Sequence, residues 1–321
     1  MTTDIIPLGI ASAIPTRDRH LPALAVERKG RVFLFDCGEG TQRRLLRADL
    51  SRARIEAIFV THLHGDHCYG LPGLLSTLAL QQRTDPVTLV APAGTRAMLS
   101  ALPGHAPDDL SFPLLITEVD ENRAVPLVYE TDELTVEARS LEHRDFTMGF
   151  RLEERPRPGR FHPGRARNLG VPDGSAFGRL QGGETVTTED GTTVRPDQVL
   201  GPPRPGISFA YVTDTRPCEG GRALANEVDL LYHDATFADG LHDRAVKTGH
   251  STAREAATVA RRAGAKRLLL GHLSARYDRP SLLEDEAQSV FSASEVAHEL
   301  HRYVLDPREK EPGSDPAERN S

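Results

Sequence analysis

Residues 61–67 read THLHGDH, and no other stretch limits so sharply what this chain can fold into. They follow residues 55–60 (IEAIFV), an apolar run of strand composition. His62 and His64 are two apart, so at the end of an extended strand they point to the same side. Gly65 permits a sharp turn, after which Asp66 and His67 lie where a helix could begin, aimed back at the same point. Three imidazoles and a carboxylate so close together suit zinc, manganese or iron. A lone His-x-His is common and carries little. The full His-x-His-x-Asp-His is a strong metal signal, and the missing ligands are expected elsewhere in the chain.

The remaining apolar runs show where. Strands are expected over 4–8, 21–27, 31–35, 87–91, 114–119, 125–129, 134–140, 148–152, 207–213, 229–233 and 266–271, with Lys29-Gly30 turning a hairpin. Helices are expected from Thr41, over 70–82, 94–102 and 251–263, and over 282–291 with Ser281 as N-cap. Asp36, His62, His143, Asp214 and His272 then each stand at the C-terminal end of a β run. Loops at one edge of a sheet are where α/β folds collect their site residues. Any one of these residues alone would be an ordinary satisfied polar group. Five at corresponding positions point to a metal centre.

At 321 residues the chain can bury a substantial core as one large domain or two small ones. No stretch is long and apolar enough for a membrane span, and the start, MTTDIIPLGI, lacks the features of a secretion signal. Cys37, Cys68 and Cys218 are an odd, scattered set, which argues against a disulfide framework and for a reducing, cytoplasmic setting. Cys68 is read as a small core residue, because a geometry set by His67 turns its neighbour away. The net charge of -7 does not advertise a nucleic-acid binder, but binding surfaces are local. His233 is read as structural, and His20, His105, His162, His242, His298 and His301 as surface or packing residues.

Together, FDCGEGTQR (35–43), THLHGDH, GLPGLL (70–75), TDTR (213–216), TGHST (248–252) and GHLSARY (271–277) resemble ribonuclease Z. This is the tRNA 3′-processing endonuclease of the metallo-β-lactamase superfamily. The resemblance runs from about residue 5 to 277. THLHGDH marks only the superfamily, whereas TGHST and the long insert described below are specific to ribonuclease Z. The resemblance implies an α/β fold, an αββα sandwich with two zinc ions at one edge. Carried over, His62, His64 and His143 would hold one zinc, Asp66, His67 and His272 the other, with Asp214 bridging. Asp36 would orient a ligating histidine from behind. Two metals about 4 Å apart can stabilise both the attacking and the leaving oxygen of a phosphodiester. Asp66 would accept the proton of the attacking water. His250 would stabilise the transition state or protonate the leaving 3′ oxygen, and Arg276 would pair with the scissile phosphate.

Residues 156–206 are dense in Pro and Gly, too long for an ordinary connection. Residues 165–169 could form a helical turn or two, stopped by Gly170 and Pro172, and 184–188 could pair with 192–195 across Asp190-Gly191. Arg151, Arg155, Arg157, Arg160, Arg165 and Arg167 make its beginning the most basic part of an acidic chain. The insert stands where ribonuclease Z carries a protruding arm that grips the tRNA elbow, and such a run suits a phosphate backbone. His162 follows Phe161 where the family usually has an acidic residue. The expected organisation is a catalytic domain over 1–305, with a tRNA-binding arm inserted at 154–206, and a disordered charged tail over 306–321. The expected partners are precursor tRNA and a second copy of the chain. Two rivals remain: another hydrolase of the superfamily, which would not need the basic arm or TGHST, and a non-catalytic RNA-binding subunit, which would not need all seven ligands.

Overall fold

Buried apolar strands alternate with amphipathic helices along most of the chain, and a computed structural model describes residues 2–102, 106–121 and 127–307. His105, the start of the strand expected at 125 and the tail beyond 307 lie outside the described residues. Contacts divide the chain into two compact units. One comprises Met1–Glu153 and Ile207–Leu305, the other Glu154–Gly206 and Asp306–Ser321.

The larger unit is built on two seven-stranded sheets. The first contains β1 (Thr3–Gly9), β2 (Ala23–Arg28), β3 (Arg31–Phe35), β4 (Ile55–Phe59), β5 (Val87–Pro92) and β6 (Leu114–Val119). The second begins with β7 (Leu127–Glu130), β8 (Leu134–Ser140) and β9 (Met148–Glu154). The smaller unit holds β10 (Val186–Thr187) and β11 (Thr193–Val194). The second sheet continues with β12 (Ser208–Val212), β13 (Leu230–Asp234), β14 (Leu268–Gly271) and β15 (Ser294–Val296), and β16 (Tyr303–Leu305) returns to the first. The orders are β16-β1-β2-β3-β4-β5-β6 and β15-β14-β13-β12-β9-β8-β7. β3 to β6 are parallel, as are β12 to β15. Parallel strands are covered on both faces, which is why β12 and β14 read as unbroken apolar runs.

Alternation along β3 assigns the layers. Phe33 and Phe35 face the core shared by the two sheets, while Val32 and Leu34 face the opposite way. Phe35 lies 5.0 Å from Phe59 in its own sheet and 5.7 Å from both Phe209 and Tyr211 in the other. The outer face packs on the helix Leu71–Leu80 through Leu71, Leu74, Leu75 and Leu78, one stripe at helical spacing. Each of these leucines contributes roughly 2 kcal/mol by burial. The second sheet is covered by Ala253–Ala263, whose buried face is mostly alanine and lets the helix approach closely. Thr252 and Glu255 form its capping box, and Gly264 ends it in the left-handed region. The layering is therefore helix, sheet, sheet, helix. Several boundaries shift by a few residues: the Ala253 helix starts two residues late because Thr252 caps it, Ser281 is the first residue of its helix and not the N-cap, and that helix ends at Gln288 instead of 291.

The smaller unit has a core of its own, made of Ala166, Val171, Leu180, Val186, Val194 and Val199. The helical turns near 165 fall within Pro163–Asn168, and β10 pairs with β11 across Asp190-Gly191. Two further helices, Ser175–Gln181 and Pro196–Val199, were not anticipated. Arg155, Arg160, Arg165 and Arg167 are exposed, and Arg157 is half-buried. Arg167 pairs with Asp173 at 2.9 Å and lies over the Phe177 ring.

Candidate metal centre

The strand ends of the larger unit converge at one edge of the sandwich. After β4 the extended chain carries His62 and His64, and the short helix Gly65–Cys68 carries Asp66 and His67. His143 follows β8, Asp214 follows β12 and His272 follows β14. Backbone contacts lock this edge. Cys37 N donates to His67 O at 2.8 Å, and Gly70 N donates to Cys37 O at 2.8 Å. A Cβ on Gly38 would fall 2.3 Å from Asp66 O, and one on Gly70 would fall 2.1 Å from Gly38 O. Both positions must be glycine for the two segments to meet. Asp36, Asp214 and His272 have φ of 59, 49 and 56°, a region costly for residues with a Cβ. Such strain gathers at functional sites, where the surroundings hold it in place.

The expected ligands are brought together in two groups. His62, His64, His143 and Asp214 form one, and Asp66, His67 and His272 the other; within each, one donor atom per residue lies within 4.8 Å of the rest. Asp214 faces both. Its Oδ2 is 3.6 Å from His62 Nε2 and 3.9 Å from His143 Nε2. Its Oδ1 is 3.2 Å from His67 Nε2 and 3.0 Å from His272 Nε2.

The outward nitrogen of every one of the five rings is tied down. His62 Nδ1 meets Thr61 Oγ1 at 3.0 Å, and His64 Nε2 meets Asp145 Oδ2 at 2.7 Å. His67 Nδ1 meets Asp36 Oδ2 at 2.7 Å, His143 Nδ1 meets Gly249 O at 2.9 Å, and His272 Nδ1 meets Thr236 Oγ1 at 3.0 Å. In a neutral ring an N–H pointing outward leaves the inner nitrogen as a lone pair; burial opposes charge on His67, but the Asp214 and Asp36 carboxylates outweigh it and raise that imidazole. Inner nitrogens then face one another at 2.8 Å (His62 and His64) and 3.4 Å (His67 and His272), an arrangement that repels unless a cation or proton lies between them. Burial holds His62 and His143 below the usual histidine range, so both stay neutral, the form that ligates metal. The donor set therefore fits metal ions.

Asp36 sits fully buried behind this layer, as expected of it. It accepts hydrogen bonds from Thr61 N (2.8 Å), Thr61 Oγ1 (3.0 Å), His67 Nδ1 and Tyr211 Oη (3.1 Å). Asp234 plays a matching part that the sequence reading missed. Its Oδ1 accepts from Thr236 Oγ1 at 2.7 Å, and Thr236 in turn holds His272. Its Oδ2 lies 2.9 Å from His250 Nδ1. Asp234 ends β13 at the same edge as the other site residues, so the strand-end rule that found them also points to it. Its neighbour His233 is buried and bonded to the Asp234 carbonyl, a structural role.

His250 lies beside the ligands, its ring 5.1 Å from both His143 and His272. Burial opposes its protonation, but the Asp234 carboxylate outweighs burial and raises the imidazole to about 9. Arg276 is exposed and stands over the Phe237 ring at 5.2 Å, and Phe237 is 6.2 Å from His250. Cys37 and Cys68 are buried, and all three cysteines are free.

Residues 22–156 match the family model for the metallo-beta-lactamase superfamily. The chain is 72% identical over 313 residues to ribonuclease Z of Salinibacter ruber, covering 97% of each chain. It is 39% identical to ribonuclease Z of Bacillus licheniformis, covering 94% of this chain and 99% of that one. Among solved structures, the short form of human tRNase Z superposes with a TM-score of 0.67 at 27% identity, over 94% of this chain and 98% of that one. No helix among the described residues is long and apolar enough to cross a membrane.

Proposed function

The chain belongs to the ribonuclease Z family of the metallo-β-lactamase superfamily, and we propose on that premise how its residues carry out 3′ processing of tRNA. It is a metal-dependent endoribonuclease that removes the 3′ trailer from precursor tRNA, leaving a 3′-hydroxyl on the tRNA and a 5′-phosphate on the trailer. The observation that carries the mechanism is the set of five imidazoles with tied outer nitrogens, four of which turn their inner nitrogens on the two oxygens of Asp214.

His62, His64 and His143 would hold one zinc ion, Asp66, His67 and His272 a second, with Asp214 bridging. When bound, the two ions supply charge stabilisation for the attacking and leaving oxygens. Asp36 and Asp234 orient the rings that face them. Asp66 Oδ2 accepts the Ala13 N–H at 2.9 Å and faces His67 and His272, whereas Oδ1 has no partner among the described residues. Oδ1 is therefore open to take the proton of the attacking water. His250 is held protonated by Asp234 and is placed to give its proton to the departing 3′-oxygen. Arg276 pairs with the scissile phosphate, its guanidinium braced on Phe237. The unit Glu154–Gly206, with Arg155, Arg157, Arg160, Arg165 and Arg167, grips the tRNA through its phosphates. The enzyme acts in the cytoplasm as a homodimer.

The test is to incubate the protein with a 3′-extended precursor tRNA and to measure its metal content. One internal cut and two zinc ions per chain are expected. Active protein with one metal or none would overturn the ligand assignment, and failure to cut would overturn the function.

A further inference from the structure

The metal centre has two unlike lips. On the side of the second sheet stand exposed cations: Arg144 beside His143, Arg244 and Lys247 on the helix His242–Thr248, and Arg276. None of the four has an ion-pair partner among the described residues. Arg144 Nη2 donates to Lys247 O at 3.2 Å, and Arg244 and Arg276 both stand over Phe237, next to His250. On the side of the first sheet two large apolar side chains are exposed, with Arg17, Asp18 and Glu39 exposed on the neighbouring segments. Tyr69 is 67% exposed and Ile14 is 60% exposed. Ile14 follows Ala13, whose N–H is bonded to Asp66. The Tyr69 ring lies against Gly65, between His64 and Asp66: a Cβ there would fall 2.4 Å from ring atom Cε2 and 2.7 Å from Cδ2. A large aromatic ring is thus left in solvent against the backbone that carries two of the candidate ligands. Its hydroxyl has no partner among the described residues.

We propose that Tyr69 is the stacking platform for the first base of the trailer, the nucleotide on the 3′ side of the scissile phosphate. The inference rests on the reading of the site as a precursor-tRNA endonuclease. In-line displacement assigns the two sides. The leaving 3′-oxygen belongs to the tRNA and must reach His250, so the tRNA end lies along the cationic lip, where its acceptor stem offers phosphates. The trailer leaves toward the other lip. It is single-stranded, and proteins hold unpaired bases by stacking them on exposed aromatic side chains. Tyr69 meets that need beside Asp66 without touching the reacting atoms. It is a positioning residue: by seating the trailer base it seats the phosphate attached to it.

The test pairs Tyr69 variants with substrates lacking one base. On a normal precursor, Tyr69→Ala should lower kcat/KM roughly ten- to a hundredfold, the usual worth of one base stack, while Tyr69→Phe stays within about twofold of wild type. An abasic nucleotide at the first trailer position should impose a similar loss on the wild type and add nothing to the loss in Tyr69→Ala. An abasic nucleotide at the last tRNA position should leave the Tyr69→Ala penalty unchanged. A penalty that persists on the abasic trailer, or a wild type indifferent to that base, overturns the inference; the wild-type measurement decides even if the alanine variant loses its metals. A wild type that does not cut the normal precursor would instead sink the functional reading beneath it.

Discussion

Asp36→Asn isolates one hydrogen bond behind one half of the metal centre. Asparagine tolerates the left-handed backbone at φ 59° nearly as well as aspartate, so the fold should accept it. With its amide oxygen in the Oδ1 position, it still accepts from Thr61 N and Thr61 Oγ1, and His62 keeps its support through Thr61. Its amide nitrogen then stands where Oδ2 stood, 2.7 Å from His67 Nδ1 and 3.1 Å from Tyr211 Oη. The tyrosine hydroxyl can rotate to accept. The His67 ring cannot keep its Nδ1 proton against another donor, so the proton moves to Nε2, the atom that faces Asp214 and His272. That removes one ligand from the group Asp66, His67 and His272 and leaves His62, His64 and His143 untouched. Loss of such a supporting partner costs about 10- to 100-fold in metal affinity, or roughly 1.4–2.8 kcal/mol. Chelator competition followed by elemental analysis should show one ion released at lower chelator concentration and the other at the wild-type concentration. Two ions held as in the wild type, or both weakened equally, would show that Asp36 does not set the His67 tautomer.

Asp66→Ala should abolish cleavage while tRNA binding survives, because binding is spread over distant phosphates; filter binding beside a single-turnover assay checks this. His250→Ala should lower kcat far more than affinity, and loss of binding with retained turnover would reverse the role given to it. Replacing residues 155–205 by a short Gly-Ser linker should keep hydrolysis of a small phosphodiester but lower precursor cleavage by orders of magnitude and flatten the salt dependence of binding. The linker can close because Glu153 already pairs with Ser208 across β9 and β12. Thr252→Ala removes one side of a capping box and should cost about 1 kcal/mol, read as a lower melting temperature.

The metal centre was legible because its residues obey one local rule. Asp36, His62, Asp214 and His272 each follow a strand that reads as an apolar run, and parallel pairing brings those ends to one edge. What the reading missed depends on contacts between distant segments. Asp145 gains its role only by meeting His64, 81 residues away in the chain, and no spacing signals that. Asp234 was passed over for the histidine before it. In the smaller unit, Val171, Leu180, Val186, Val194 and Val199 are spread among glycines and prolines, so their shared core has no periodic signature. The helix Ser175–Gln181 carries Gly178 in its interior, which argues against a helix on propensity alone. β15 and β16 are three residues each, too short to stand out before their sheet partners are known.

A metal-dependent endonucleolytic cut of precursor tRNA leaves defined ends on both products, and mapping those ends distinguishes it from every rival. A precursor labelled at either end should give one tRNA fragment with a 3′-hydroxyl and one intact trailer with a 5′-phosphate, and a chelator should abolish both. A ladder of single nucleotides shed from the 3′ end, a cyclic phosphate on the tRNA, or cleavage that survives complete metal removal would contradict it.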